Sequence, residues 1–179
     1  MESCECHSMS MEFLAWKWLN LFYGDDTDRA KYVHLGSALI FLPYGCMVDH
    51  FQHIVYDNPD LTPAERHAEW KKLEAIYRPY LNPDDVDFYA LGRGWQRQLH
   101  IYHYPFYYID YCLAQTVSLE FWSMSQKDWN DAWKHYYKFV EQGGKQTFTE
   151  LCRTAGIKVP FEDGALKDIA DGAVRYLEK

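Results

Sequence analysis

The stretch from Trp95 to Gln115 concentrates side chains that could do chemistry. It holds two histidines, five tyrosines and one proline in the run WQRQLHIYHYPFYYIDYCLAQ. An ordinary core helix would use leucine, isoleucine and valine, because a buried tyrosine hydroxyl must find a hydrogen-bond partner. A surface that is apolar in its body and polar at its tips suits ligand binding. The alternative is an aromatic core whose hydroxyl groups are satisfied within the fold.

Two other clusters contain the side-chain types that bind metals. Cys4 and Cys6 are followed directly by His7, but no second cysteine pair completes a metal clip. His50 and His53 have the i, i+3 spacing that can bind a metal on one helix face. The metalloprotease signature instead requires histidines at i and i+4, with a glutamate next to the first. We therefore expect reduced cysteines packed as small apolar residues, and structural histidines.

Composition excludes several classes of protein. The 179 residues are 48% hydrophobic and 18% aromatic, which is ample material for a core. The formal net charge of -8 argues against nucleic-acid binding, which needs a basic stripe, and against binding anionic membrane surfaces. No apolar run is long enough to span a bilayer, and the first residues lack the pattern of a signal peptide. We expect a cytoplasmic protein.

Helical spacing of apolar residues predicts two long helices at the start of the chain. The first runs from Met1 to Tyr23 and is ended by Gly24, and the second runs from Arg29 to Tyr56. Pro43 and Gly45 lie inside the second helix. We expect them to kink or divide it, because proline removes a hydrogen-bond donor and clashes with the preceding turn.

Capping signals place the remaining helices. Thr62 and Glu65 form a capping box for a helix that runs to about Tyr77. Pro105 is a plausible first residue of a helix that runs to about Met124, with His100 in the segment before it. Further helices are predicted after the cap at Ser125–Asp128, over Thr147–Ala155, and from Phe161–Asp163 to about Leu177. No segment has the period of a strand, so the predicted fold is all-α, with residues 1–179 as a single helical lobe.

The first helix and the aromatic stretch together resemble oligoendopeptidase F-like and thimet oligopeptidase-like zinc metallopeptidases. In that family the helix after the zinc signature carries the pattern E-x-x-S-x-x-x-E, which here is Glu5, Ser8 and Glu12 in ESCECHSMSMEF. The resemblance continues through FLPYGCMVDHFQH, the aromatic stretch and FVEQGG, and so covers essentially the whole chain. It implies a multi-helix lobe, the C-terminal part of a zincin-type helical oligopeptidase catalytic domain.

The resemblance also implies roles for residues on the first helix. Glu5 would be the third zinc ligand. Glu12 lies two turns further along the same helix and therefore on the same side. It would not bind the metal itself, but would accept a hydrogen bond from a histidine that does, and so orient that histidine.

Further roles follow for the aromatic stretch. His100 matches the family histidine beside the substrate carbonyl, and Tyr111 matches the tyrosine that donates to the oxyanion of the tetrahedral intermediate. Tyr104 matches a second, mobile tyrosine on a loop. His103 and Tyr108 would belong to the substrate-binding wall. A phenol or imidazole donor aimed at a developing oxyanion lowers a reaction barrier by ~3 kcal/mol.

The chain departs from the family pattern in one respect. The H-E-x-x-H signature is absent, and we expect it to lie shortly before Glu5 in the complete peptidase. Two of the three protein zinc ligands and the general-base glutamate are then missing, and one carboxylate cannot hold catalytic zinc. We therefore expect a C-terminal fragment that binds no zinc tightly and is inactive alone. Its expected partners are short peptides, the missing N-terminal lobe, and other copies of itself through exposed apolar surface.

Three alternatives remain open. The chain could be a free-standing helical peptide-binding module or a pseudoenzyme, in which the wall formed by His100, Tyr104, Tyr108 and Tyr111 survives as a groove. It could be a different metal protein that uses the cysteine and histidine clusters. It could also be a structural fragment in which the aromatic stretch is simply core.

Overall fold

A computed structural model describes residues 2–178, and every regular element within that range is helical. The predicted all-α fold is therefore confirmed. Met1, the predicted start of the first helix, lies outside the described residues. The α-helices are α1 (Cys4–Leu14), α2 (Asn20–Tyr23), α3 (Thr27–Asp57), α4 (Pro63–Tyr77), α5 (Asp87–Ala90), α6 (Leu99–His103), α7 (Ile109–Ser125), α8 (Trp129–Glu141), α9 (Phe148–Ala155) and α10 (Lys167–Leu177). Turns of 3-10 helix cover Ala15–Trp18, Gly24–Asp26 and Gly94–Arg97.

The chain divides into two compact units. Unit 1 consists of the residues up to Ala38 together with those from Leu113 onward, and unit 2 is Leu39–Cys112. The single lobe over residues 1–179 stays a prediction. None of the helices between residues 2 and 178 is long and apolar enough to cross a membrane.

The core of unit 1 joins α1, α7, α8 and α9. Leu14, Phe121, Phe139 and Leu151 are almost completely buried in one cluster. Burying side chains of this size contributes roughly 1.5–3 kcal/mol each. The Trp129 indole N–H also donates to the Leu14 carbonyl at 2.8 Å, which ties the start of α8 to the end of α1.

The core of unit 2 is built from α3, α4 and the turn that contains Trp95. The Phe51 ring meets Trp70 edge-on at a centroid distance of 5.1 Å and lies 5.4 Å from Trp95. Met47, Val48 and Leu73 complete the buried cluster. This packing fixes α3 against α4 and so supports the segment that leads into α6.

Helix α3 runs unbroken from Thr27 to Asp57 with Pro43 inside it. Pro43 and Gly45 were expected to kink or divide this segment: the division does not occur, and the kink stays a prediction. A proline inside a helix removes one backbone hydrogen bond. Here the neighbouring turns continue the helix on both sides of Pro43.

Helix starts with a local cap lie where they were predicted. Thr62 accepts from the Glu65 N–H, and the Glu65 carboxylate accepts from the Thr62 N–H at 2.8 Å. Asp128 caps α8, and Gly156 ends α9 with a left-handed φ of 71°. The predicted start of the last helix at Phe161–Asp163 is wrong, since α10 begins at Lys167.

The helix predicted to end at about Met124 is present and ends at Ser125, but its predicted start at Pro105 is wrong. Phe106 has a φ of 61°, a left-handed conformation that cannot begin a right-handed helix, so α7 starts at Ile109. A separate short helix, α6, carries His100. Tyr104 and Tyr108 therefore lie on the connection between α6 and α7, not on one face of a single helix.

Candidate active site

His100 is the centre of a polar chain in unit 2. It lies in the first turn of α6, two positions after Gln98, which has an extended backbone at the N-cap position. Gln98 Nε2 is 2.7 Å from His100 Nδ1, and Gln98 Oε1 accepts from the Tyr44 hydroxyl at 2.8 Å. On the other side of the imidazole, Nε2 lies 3.4 Å from the Tyr111 hydroxyl. His100 is therefore held on both ring nitrogens by partly buried side chains.

Tyr108 packs beside this polar chain. Its ring meets His100 at a centroid distance of 5.0 Å and Tyr111 at 5.4 Å, and it meets Tyr44 edge-on at 6.0 Å. Burial raises the pKa of the Tyr108 hydroxyl well above its ordinary value. Tyr108 is therefore neutral, and its ring packs against His100 and limits the movement of the imidazole.

Tyr104 and His103 are the exposed residues of the predicted set. Tyr104 is 63% exposed, and its ring lies 6.4 Å from His100 and 6.3 Å from His103. Its backbone N–H donates to the His100 carbonyl at 2.9 Å, which anchors the main chain while the side chain faces solvent. The exposed Tyr104 side chain has room to reorient, and its mobile role at a substrate stays a prediction.

The segment that carries Tyr104 is anchored at Phe106. The left-handed Phe106 donates its backbone N–H to Gln52 Oε1 at 2.8 Å, and Gln52 is only 1% exposed. The Phe106 ring packs against His53 at 5.0 Å and Tyr56 at 4.8 Å. These contacts explain how an unfavourable backbone conformation, which costs ~1–2 kcal/mol, is maintained.

Glu5 and Ser8 lie on α1 in unit 1. Glu5 is partly buried in the first turn, and its Oε2 accepts from the Ser8 hydroxyl at 3.2 Å. This bond uses one carboxylate oxygen and leaves lone pairs that could bind a cation.

Glu12 contacts a histidine that the sequence did not point to. Its Oε2 lies 3.1 Å from Nε2 of His34 on α3, and the Trp16 indole N–H donates to His34 Nδ1 at 2.9 Å. The Phe13 ring stacks on His34 at 4.3 Å. Glu12 therefore orients a histidine of this chain, and whether it also acts behind a metal ligand stays a prediction.

Comparison with models of protein families shows which family the chain belongs to. The model of peptidase family M3 matches residues 1–171. The chain belongs to peptidase family M3. The resemblance drawn from the first helix and the aromatic stretch is thereby confirmed. No curated protein matches the chain.

Solved structures agree with the M3 assignment. A structure described as an oligoendopeptidase F is 48% identical, with a TM-score of 0.95 over 99% of the chain. PZ peptidase A with an inhibitor is 47% identical, also with a TM-score of 0.95 over 99% of the chain. An oligoendopeptidase F from Bacillus anthracis str. Ames is 40% identical, with a TM-score of 0.82 over 99% of the chain. The chain spans 32%, 32% and 28% of these three structures, so it corresponds to about a third of such a peptidase.

Several side chains of the types that bind metals have other partners in this M3 chain. Residues 2–178 contain no group of three histidine, cysteine or acidic side chains that could hold a metal ion. Cys6 is buried, and its thiol donates to the Glu2 carbonyl. His53 pairs with Asp49 at 3.4 Å, and His50 with the Tyr77 hydroxyl at 3.1 Å. The role of Glu5 as one zinc ligand among several stays a prediction.

Three residues of the site were missed in the sequence. Gln98 lies only two positions before His100, so its proximity was the one available signal. Tyr44 is 54 positions from Gln98, and His34 is 22 positions from Glu12. Nothing in the local sequence indicates contacts at such separations.

Proposed function

We propose that this chain is the part of a zinc-dependent M3 oligoendopeptidase that supplies one zinc ligand and the donors facing the substrate. The complete enzyme hydrolyses short peptides. The observation that carries the proposal is the convergence of the His100 imidazole and the Tyr111 hydroxyl, at 3.4 Å, in a chain that belongs to family M3. A phenol hydroxyl held next to an imidazole in this way suits donation to one carbonyl oxygen.

Glu5 would hold the zinc together with ligands from the H-E-x-x-H segment of the family. Zinc, when bound, would polarise the peptide carbonyl and activate a water molecule. Support comes from the partly buried carboxylate of Glu5, oriented by Ser8. Glu12 would contribute by orienting a histidine, as it does here with His34.

The tyrosines and histidines of unit 2 would bind the peptide. Tyr111 would donate to the carbonyl oxygen as negative charge develops on it, with His100 beside it. Tyr104 and His103, which are exposed, would contact the peptide from the side of the loop. Tyr108 would act as the apolar wall behind His100.

The partners of the chain follow from the same proposal. The remaining two thirds of the peptidase would cover apolar side chains that are exposed here, among them Leu21 at 74% and Phe22 at 81%. Without that cover we expect self-association, no tight zinc binding and no peptide hydrolysis. We propose a cytoplasmic location for the complete enzyme.

Two substitutions test the proposal in a full-length M3 peptidase that contains this chain. Glu5→Gln should reduce zinc affinity and kcat/KM by more than ~100-fold, since even residues behind metal ligands contribute 10–100-fold. Tyr111→Phe should lower kcat/KM by ~100–1,000-fold through the loss of an oxyanion donor, with zinc content unchanged. Zinc is measured by atomic absorption, and kcat/KM with an internally quenched peptide.

Matched controls separate these roles from general damage. Glu141→Gln removes an exposed carboxylate from the same unit as Glu5, and Tyr80→Phe removes an exposed hydroxyl from the same unit as Tyr111. Both controls should keep wild-type zinc content and activity. Full zinc binding by Glu5→Gln, or full activity in Tyr111→Phe, would refute the corresponding role.

A further inference from the structure

We propose that Tyr44 and Gln98 are positioning residues that set the tautomer of His100 and give the chain Tyr44–Gln98–His100–Tyr111 one direction. In that direction each group donates to the next: the Tyr111 oxygen accepts from His100, and the Tyr111 hydroxyl can donate to a substrate oxygen. The functional consequence rests on the proposed function, whereas the tautomer itself can be tested independently.

The geometry provides three successive contacts. Tyr44 donates to Gln98 Oε1 at 2.8 Å, Gln98 Nε2 lies 2.7 Å from His100 Nδ1, and His100 Nε2 lies 3.4 Å from the Tyr111 hydroxyl. The last contact is long, as contacts in substrate-free sites often are before the substrate tightens them. Gln98 occupies the N-cap position of α6, yet its side chain accepts no capping hydrogen bond. Its amide is used for His100 and Tyr44 instead.

The orientation of the amide decides which nitrogen of His100 carries the hydrogen. An amide NH2 group donates only, so a neutral imidazole facing it must accept at Nδ1 and carry its hydrogen on Nε2. The Nε2–H then donates to the Tyr111 oxygen. With the amide reversed, Nδ1 would carry the hydrogen, and the bare Nε2 would accept the hydrogen of Tyr111. Only the first arrangement lets Tyr111 donate to another acceptor.

The surroundings of Tyr44 favour the first arrangement. The Arg78 guanidinium lies over the Tyr44 ring at 5.1 Å from its centroid. Burial raises the pKa of Tyr44, while the positive charges of Arg78 and Arg97 oppose that rise. Cations near a hydroxyl make it a better donor, so Tyr44 donates to Gln98 Oε1 and directs the amide NH2 toward His100. Hydrogen bonds in such a chain polarise one another in the same direction.

Tyr108 gives the chain mechanical support. Its ring contacts the rings of Tyr44, His100 and Tyr111. A rotation of the imidazole that exchanged its two nitrogens would have to displace this half-buried tyrosine. Packing therefore holds the ring orientation, and the amide selects the tautomer within it.

The test measures the His100 tautomer by NMR in the chain labelled with ¹⁵N-histidine, at a pH well above the ordinary imidazole range near ~6.5. The ¹⁵N shifts distinguish a protonated from an unprotonated ring nitrogen, and His100→Asn identifies the signals by their loss. We expect Nδ1 to be unprotonated in the wild-type chain. Gln98→Glu introduces a carboxylate that can only accept, and it should move the hydrogen to Nδ1. Gln96→Glu adds the same charge at an exposed position nearby and should leave the tautomer unchanged.

Each outcome decides the inference. A protonated Nδ1 in the wild-type chain overturns it, and so does an unchanged tautomer in a folded Gln98→Glu variant. If that variant does not fold, Tyr44→Phe replaces it: removal of the hydroxyl should give a mixture of both tautomers, and a pure Nε2–H form would count against the relay.

A kinetic measurement separates this inference from the proposed function. In a full-length M3 peptidase that contains this chain, Gln98→Glu should lower kcat by ~100–1,000-fold with a smaller change in KM, because a donor to the developing oxyanion is lost. If the tautomer moves as expected but kcat does not fall, the relay exists and the catalytic role of His100 and Tyr111 is wrong. If Tyr111→Phe is inactive while the tautomer is not set by Gln98, the proposed function stands without the relay.

Discussion

Each unit holds a partly buried histidine whose Nδ1 faces another side chain, and the two histidines differ in what fixes their hydrogens. In unit 1 the partner of His34 is the indole of Trp16, which can only donate. The hydrogen of a neutral His34 must therefore lie on Nε2, where the Glu12 carboxylate accepts it. In unit 2 the partner of His100 is the Gln98 amide, which presents a donor on one side and an acceptor on the other. The direction of that contact depends on Tyr44.

The hydrogen bonds of His34 are therefore fixed in one direction, whereas those of His100 can run in either direction. His34 is stacked on buried Phe13, and its hydrogen-bond chain ends in a carboxylate, so it has one arrangement. The chain through His100 ends in a hydroxyl group, which can both accept and donate. A site that must respond to substrate benefits from the second design, whereas a site that supports a helix benefits from the first.

The cysteines of the two units also differ, in their burial and in their pKa. Cys6 and Cys152 of unit 1 are buried, and burial raises both pKa values, that of Cys152 to about 12. Cys46 of unit 2 is only partly buried, and a hydrogen bond from Cys112 lowers its pKa to about 7. Cys6 and Cys152 are therefore packing material. In unit 2 the hydrogen bond with Cys46 and burial raise the pKa of Cys112, so Cys46 is the reactive thiol of that pair.

The largest expected difference between the units is in stability. Trp16→Ala should reduce the free energy of unfolding by ~3–5 kcal/mol, because it removes a nearly buried indole from the core together with the donor to His34. Tyr44→Phe should cost only ~1 kcal/mol, since it removes one hydroxyl and keeps the ring. Urea unfolding of both variants measures the two values. Equal costs would mean that the Tyr44 chain is as much a structural element as the Trp16 chain.

A smaller effect is expected at the anchor of the Tyr104 segment. Gln52→Leu introduces an apolar side chain of similar size but leaves the Phe106 N–H without its acceptor. This loss should reduce the free energy of unfolding by ~1–3 kcal/mol. Hydrogen exchange at the Phe106 amide should accelerate as well. Gln96→Leu, at an exposed position of the same unit, is the control and should change neither quantity. Unchanged exchange in Gln52→Leu would show that ring packing alone holds the segment.

The smallest effect is expected in thiol reactivity. The lowered pKa of Cys46 raises its thiolate fraction at pH 7 above the few per cent of a thiol of pKa ~8.5, but a lower pKa also reduces nucleophilicity. We expect iodoacetamide to modify Cys46 roughly threefold faster than a model thiol, and Cys152 much more slowly than either. Peptide mass spectrometry after timed alkylation separates the sites. Faster alkylation of Cys152 than of Cys46 would contradict the contrast between the units.

The parts of the fold that were predictable from sequence are those set by neighbouring residues. The caps at Thr62, Asp128 and Thr147 act over two or three positions, and all three helices start directly after them. The start of α7 was not predictable, because Phe106 is held by Gln52 from 54 positions away. Pro105 is a local signal for a helix start, but the hydrogen bond from the Phe106 N–H to the distant Gln52 amide stabilises a conformation that is not helical.

The same distinction applies to the candidate site. His100 and Tyr111 were found through their types and through the family pattern. Tyr44 was not, because its relation to His100 passes through Gln98 and exists only after α3 and α6 have packed. The side chains proposed to touch substrate are thus visible in the sequence, whereas those that orient them appear only in the fold.

The left-handed Phe106 has a consequence for anyone who wishes to transplant the Tyr104 loop into another scaffold. The ten residues around Tyr104 do not encode their own shape, because the conformation of Phe106 is stabilised by Gln52, His53 and Tyr56 on a different helix. A graft of the loop alone would relax to a conformation with negative φ and redirect Tyr104. The transferable unit is the loop together with that turn of helix, which makes this a two-segment design problem.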